Sequence, residues 1–184
     1  MGSDRSDLPE SLCLVGFMGS GKSTVGRLLA ERLQWTFIDL DDRIETEAGK
    51  SVSEIFAEDG ERAFREIETR IGREVVGREH TVLATGGGWG AVPGRVAELP
   101  ATVATIWLQV SPELAVDRIR RQAPVRPLLS GTSDPLSEAR KLLDKRRPQY
   151  EAAGLHVNTS GREVTEVVSE ILKHIRSGHR TRPS

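Results

Sequence analysis

Gly16-Phe17-Met18-Gly19-Ser20-Gly21-Lys22-Ser23 follows a short apolar run, Leu12-Cys13-Leu14-Val15, and opens a segment with helical periodicity. The octapeptide fits the pattern of a phosphate-binding loop: glycine, four residues, glycine, lysine, then serine or threonine. The spacing has a physical cause. Glycines let successive backbone N–H groups turn inward around a phosphate without Cβ clashes. The helix that follows adds the positive end of its dipole. Gly19, Ser20, Gly21 and Thr24 supply the cradle, Lys22 can reach the β- and γ-phosphates, and the Ser23 hydroxyl can meet Mg²⁺. The motif marks nucleotide binding without saying what is done with the nucleotide.

Working outward, strand-like runs alternate with helix-like runs. Beyond Leu12–Val15, the strand candidates are Thr36-Phe37-Ile38, Thr81–Ala84, Thr102 to Val110 and His156-Val157-Asn158. The continuous apolarity of Leu12–Val15 suits a strand buried on both faces. Between the strand candidates, Val25, Leu28, Leu29 and Leu33 fall at helical spacing, as do Phe64, Ile67, Ile71 and Val75. Ser51-x-x-Glu54 reads as a capping box, and Ser111-Pro112 as an N-cap followed by a first-turn proline. Val164, Val167, Val168, Ile171, Leu172 and Ile175 form the stripe of a last helix. This alternation predicts a mostly parallel sheet covered on both faces, with ligands beyond the carboxyl ends of the strands.

Composition narrows the class. The chain has 184 residues, enough for a single domain, with its core over about 10–176 and a polar, flexible tail at 177–184. Lys plus Arg number 26 and Asp plus Glu 27, and aromatic residues are 4%. A near-neutral chain poor in aromatics lacks the basic groove and stacking platforms of nucleic-acid binders. Its one cysteine, Cys13, allows no internal disulfide. No stretch has the run of about 20 apolar residues that spans a bilayer, and no basic-then-apolar leader opens the chain. The expectation is a cytoplasmic protein, taken as a monomer, with no membrane or nucleic-acid partner. Residues 122–136 carry Pro124, Pro127, Gly131 and Pro135, a composition that resists regular structure and suits a lid over a site.

The residues just past each strand are the site candidates. Asp39-Leu40-Asp41-Asp42 closes the second strand, and in extended geometry Asp39 and Asp41 point the same way. One could hold Mg²⁺ and the other accept a proton from a hydroxyl; alternatively Asp41 or Asp42 merely caps the next helix. Arg65 borders the apolar stripe of the long helix and needs an anionic partner, either Glu68 or a ligand carboxylate. Gly86-Gly87-Gly88 permits close approach of a ligand or forms a simple turn. Arg126, in the lid segment, could close on a transferring phosphoryl group. Lys145-Arg146-Arg147 reads equally as a solvated charge run.

Taken in order, G-F-M-G-S-G-K-S-T, F-I-D-L-D, I-F-A-E-D-G-E-R-A-F-R-E-I-E, L-A-T-G-G-G, R-P-L-L and K-R-R-P-Q-Y resemble the shikimate kinases over residues 12 to 162. The resemblance implies an α/β three-layer sandwich of the nucleoside monophosphate kinase type: a five-stranded parallel sheet with a mobile lid. It implies ATP with Mg²⁺ and phosphorylation of the 3-hydroxyl of shikimate, a step of aromatic amino-acid biosynthesis. By the same resemblance Asp41 would bind the shikimate hydroxyls and act as base or orienter at the 3-hydroxyl, and Asp39 would join Ser23 near the metal. Arg65 and Arg146 would clamp the carboxylate, with Gly86, Gly87 and Gly88 against the ring. Arg126 would meet the ATP phosphates, and Arg118 and Arg162 would lie near adenine, with Arg120 or Arg121 as substitutes. One departure stands out. Trp89-Gly90 follows the glycines where the family carries a small residue and then an apolar one, so Trp89 either packs under the sheet end or reshapes the acceptor pocket. The alternatives are a related kinase for another hydroxy acid such as gluconate, and a nucleotide-binding module without turnover.

Overall fold

The computed structural model describes residues 8–121 and 134–177. Five strands form one parallel sheet: β1 (Ser11–Val15), β2 (Thr36–Asp39), β3 (Thr81–Ala84), β4 (Val103–Gln109) and β5 (Leu155–Asn158). Their spatial order is β2-β3-β1-β4-β5. β1 is therefore central, with Leu12 paired to Val82 of β3 and Ala104 of β4. The loop after β1 emerges in the middle of the carboxyl edge, where open α/β sheets bind ligands.

Alternate residues of β1 feed two cores. Leu12 and Leu14 pack with α1 (Lys22–Leu33) and α7 (Val164–Arg176) on one face. Cys13 and Val15 pack on the other face, against α2 (Leu40–Ala48), α4 (Gly60–Val75), α5 (Pro112–Arg121) and α6 (Pro135–Tyr150). The period-2 alternation of a strand dictates that split. The last helix buries Val167, Val168, Ile171, Leu172 and Ile175, each worth about 1.5–3 kcal/mol relative to exposure.

Local chemistry sets the helix ends. Gly21 caps α1 at φ 89, a left-handed conformation that suits glycine. α3 (Val52–Glu58) opens on the expected capping box: the Ser51 N–H donates to Glu54 Oε2 at 2.7 Å, and the Glu54 N–H donates to Ser51 Oγ at 3.2 Å. Asp134 accepts from the Ser137 N–H at 3.0 Å and precedes Pro135 at the start of α6.

Three expectations need correction. The chain turns helical at Leu40, so Asp41 lies in the first turn of α2 rather than in extended backbone. The cap is Asp39, which accepts from the Asp41 N–H at 3.1 Å, and not Asp41 or Asp42. A carboxylate two residues upstream reaches that N–H, which is how an N-cap works. Pro135 and Leu136, assigned above to the lid, belong to α6 because proline is tolerated in a first helical turn. The remainder of that segment, 122–133 with Arg126, lies outside the described residues, as do 178–184 of the tail.

Candidate active site

Two cavities open at the carboxyl edge of the sheet, and Asp41 lines both. The first, about 320 Å³, is the phosphate cradle. Gly19, Ser20, Gly21, Lys22, Ser23 and Thr24 line it together with Asp39, Arg118 and Arg162. Gly19 adopts φ 75, and a β carbon there would sit 2.9 Å from the Ala115 carbonyl oxygen. The loop is thus seated directly on α5. No side chain caps α1 and no acidic residue of the helix occupies its first turn, so the positive helix end faces the cavity. Lys22 is buried and donates from Nζ to the carbonyls of Gly16 and Phe17, each at 2.9 Å.

Ser23 Oγ donates to Asp39 Oδ2 at 2.5 Å. A hydroxyl and a carboxylate side by side form a hard oxygen pair, the donor type Mg²⁺ takes when phosphates and water complete its shell. The residues therefore fit the expected metal. Arg118 donates from Nη1 to the Gly19 carbonyl at 2.9 Å. Arg162 pairs with Glu170 at 2.6 Å and also borders the cavity. Arg121 instead turns to Asp117 on its own helix, at 2.9 Å. Of the alternatives on α5, the structure brings Arg118 to the site.

The second cavity, about 240 Å³, is lined by Asp41, Arg65, Glu68, Arg146 and the three glycines, with Phe56 and Phe64 as an apolar wall. Arg65 sits one-quarter exposed and donates from Nη1 to Glu68 Oε2 at 2.8 Å. Its Nη2 donates to Glu61 at 3.3 Å, and its guanidinium lies 5.1 Å from the Phe64 ring centre. Burial opposes its charge, but Glu68 and Glu61 outweigh burial and hold its pKa above the ordinary value. Glu68 is fully buried. Desolvation pushes its carboxyl above the usual range, Arg65 counters this, and Asp41 adds to it. Its Oε1 has no hydrogen-bond partner among the described residues, so an acceptor group remains for a ligand or water. Arg65 thus has a protein carboxylate as partner and still borders the cavity.

The glycines turn the chain, with the Trp89 N–H donating to the Gly86 carbonyl at 3.1 Å, and are closely approached as well. A β carbon at Gly86 would lie 2.8 Å from both Asp41 Oδ1 and Glu68 Oε1. One at Gly87 would lie 3.1 Å from the Met18 amide nitrogen of the phosphate loop, and one at Gly88 would meet the Arg65 guanidinium. Arg146 lies inside α6, is part-buried, and donates to the Gly87 carbonyl at 3.0 Å. It is not a solvated face. Trp89 is buried in the core behind the glycines and does not line the cavity.

Sequence reading missed the cavity-lining place of Glu68 and gave Tyr150 no part. Tyr150 is buried and bonds to the Gly87 carbonyl at 2.5 Å. Its one legible signal was its position four residues after Arg146, which puts both side chains on one helix face.

A phosphate loop joined through one carboxylate to a small, arginine-lined cavity on this sheet order defines a P-loop small-molecule kinase. The fold is shared, for example, with a gluconokinase from Sinorhizobium meliloti, 19% identical over 94% of each chain with a TM-score of 0.55. The chain belongs to the shikimate kinase family, whose model matches residues 18–176. It is 44% identical to the shikimate kinase of Thermus thermophilus over 88% of each chain. Among solved structures, it is 34% identical to the shikimate kinase of Acinetobacter baumannii in complex with shikimate, with a TM-score of 0.85, covering 96% of this chain and 98% of that one.

Proposed function

We propose that this chain transfers the γ-phosphoryl group of ATP to the 3-hydroxyl of shikimate, yielding shikimate 3-phosphate and ADP for aromatic amino-acid biosynthesis. The observation that carries this reading is the meeting of the two cavities at Asp41, with Arg65 and Arg146 in the acceptor cavity and Lys22 in the other. A carboxylate held by two guanidiniums fixes one end of the acceptor. The acceptor hydroxyl is thereby set beside Asp41, which takes its proton as its oxygen bonds to the γ-phosphorus. The bond from that phosphorus to the bridging oxygen breaks, and ADP leaves.

Gly19, Ser20, Gly21, Lys22 and Thr24 hold the triphosphate, with Arg118 and Arg162 beside the base. Ser23 and Asp39 would hold Mg²⁺, which when bound neutralises phosphate charge. Lys22 exchanges backbone carbonyls for phosphate oxygens. Catalysis is mainly positioning and charge neutralisation. Arg126, expected by resemblance to meet the ATP phosphates, lies outside the described residues. In this reading residues 1–184 act as one kinase domain, monomeric and cytoplasmic, with a small molecule and not a nucleic acid as partner. No helix among the described residues is long and apolar enough to cross a membrane.

ADP release by the purified chain with ATP and Mg²⁺ tests the proposal against a panel of hydroxy acids. Shikimate-dependent ADP formation is expected. Turnover of gluconate but not shikimate would replace the acceptor, and nucleotide binding with no acceptor-dependent turnover would leave a binding module.

A further inference from the structure

We propose that Tyr150 is a positioning residue for the acceptor, holding the Gly87 carbonyl and the Arg146 guanidinium in one fixed arrangement; this rests on the phosphotransfer reading above. One carbonyl oxygen, that of Gly87, accepts from Tyr150 Oη at 2.5 Å and from Arg146 Nη1 at 3.0 Å. A carbonyl has two lone pairs, and both are used here.

The donors stand one helical turn apart near the end of α6, and the acceptor lies fifty-nine residues upstream of Arg146 in the glycine loop. The loop and the arginine both line the acceptor cavity, while Tyr150 does not. Tyr150 is completely buried, its ring 5.9 Å from that of Trp107, with Gly90 packed at its edge. Burial pushes the phenol pKa up to about 12, with Arg146 beside it pulling the other way. The hydroxyl therefore stays a neutral donor across the working pH range.

Three glycines in a row have little intrinsic preference for any one backbone arrangement. A planar trans peptide couples the direction of the Gly87 carbonyl to that of the Gly88 N–H. Anchoring that carbonyl to a buried phenol fixes the loop backbone on the cavity wall. It also fixes where the Arg146 guanidinium must lie to reach the same oxygen, leaving its remaining donors for an anionic ligand group. Without the phenol, the loop is tied to α6 by Arg146 alone, and that arginine is divided between holding the loop and holding the ligand.

Tyr150→Phe keeps the ring and its packing and removes only the hydroxyl, which also hydrogen-bonds the Arg146 side chain. The acceptor KM for shikimate is expected to rise about three- to tenfold, the span of one hydrogen bond. The ATP KM and kcat should stay within about twofold. A general structural defect would instead move all three together. The Arg146→Ala and double variants close a cycle: because both side chains hold the one Gly87 carbonyl, the effects of Tyr150→Phe and Arg146→Ala on the acceptor KM should not add. An unchanged acceptor KM in Tyr150→Phe, equal losses toward both substrates, or strict additivity in the cycle would each overturn the proposal. If the wild-type chain fails to phosphorylate shikimate, the functional reading itself falls and takes this one with it. If the wild type turns over normally while Tyr150→Phe is silent, only the positioning role falls.

Discussion

Gly72 of α4 faces the indole of Trp89: a β carbon there would overlap the indole nitrogen and come within 3.2 Å of Cε2 and 3.3 Å of Cδ1. A glycine within a sixteen-residue helix sacrifices up to about 1 kcal/mol against alanine, so it needs a reason. Here the reason is a notch for a bulky residue that closes the glycine loop from behind. Arg95 covers the other side of the ring, 5.1 Å from its centre. Trp89, the departure from the family pattern, is accommodated by the core and leaves the acceptor cavity alone.

Gly72→Ala should therefore destabilise the protein by about 1–3 kcal/mol, the range for overpacking, even though alanine favours helix. Urea unfolding measures it. In a Trp89→Phe background the notch is no longer filled by the indole nitrogen, and the same substitution should cost less. A Gly72→Ala protein as stable as the wild type would show that the notch is not needed.

Arg65→Ala should raise the shikimate KM by about 10- to 100-fold, the loss of a charge-assisted contact, with a smaller effect on kcat. Steady-state kinetics with varied acceptor at saturating ATP decides it. An unchanged KM would remove Arg65 from the carboxylate clamp and leave it as the partner of Glu68 alone.

Lys22→Met should lower kcat by about 100-fold or more, since it removes a donor aimed at charge that develops in transfer. The shikimate affinity, measured by calorimetry without nucleotide, should hold, because Lys22 does not line the acceptor cavity. Loss of shikimate binding in this variant would mean that the two cavities are not separable.

Glu68 predicts a pH dependence of stability. Its folded-state pKa is raised, first by desolvation. Between the ordinary value, about 4.3, and the raised one, the folded state holds more protons than the unfolded state. Stability from this group is thus full below the ordinary value and falls as pH rises through the raised one. Glu68→Gln removes that fall. Urea denaturation from pH 4 toward neutrality should show the variant gaining on the wild type as pH increases; parallel curves would mean the burial of Glu68 carries no such penalty.

Much of this was legible in the residues. The phosphate loop is a local device, so its eight residues specified both the turn and the helix behind it. The stripe in α7 and the Ser51–Glu54 box were equally local. Asp39 and Asp41 were singled out at the strand end and both line the phosphate cavity, but the cap was sought at Asp41 or Asp42 and lies at Asp39. Strand end and helix start compete over two or three residues, and the winner depends on which carboxylate reaches the Asp41 N–H.

The amino-acid sequence by itself determined the alternation of strands and helices and the phosphate cradle, because each depends on spacing along a few turns of chain, while the reaction class came only from the resemblance of its motifs, taken in order, to a known family. Only the tertiary structure decided that Asp41 stands in both cavities and that Glu68 is buried beside it. It alone decided that Arg146 turns inward and that Gly72 is hollowed for Trp89. Those relationships join segments far apart in the chain. They are set by how helices close over the sheet edge, and a backbone carbonyl such as that of Gly87 leaves no mark of its partners in the residue letters.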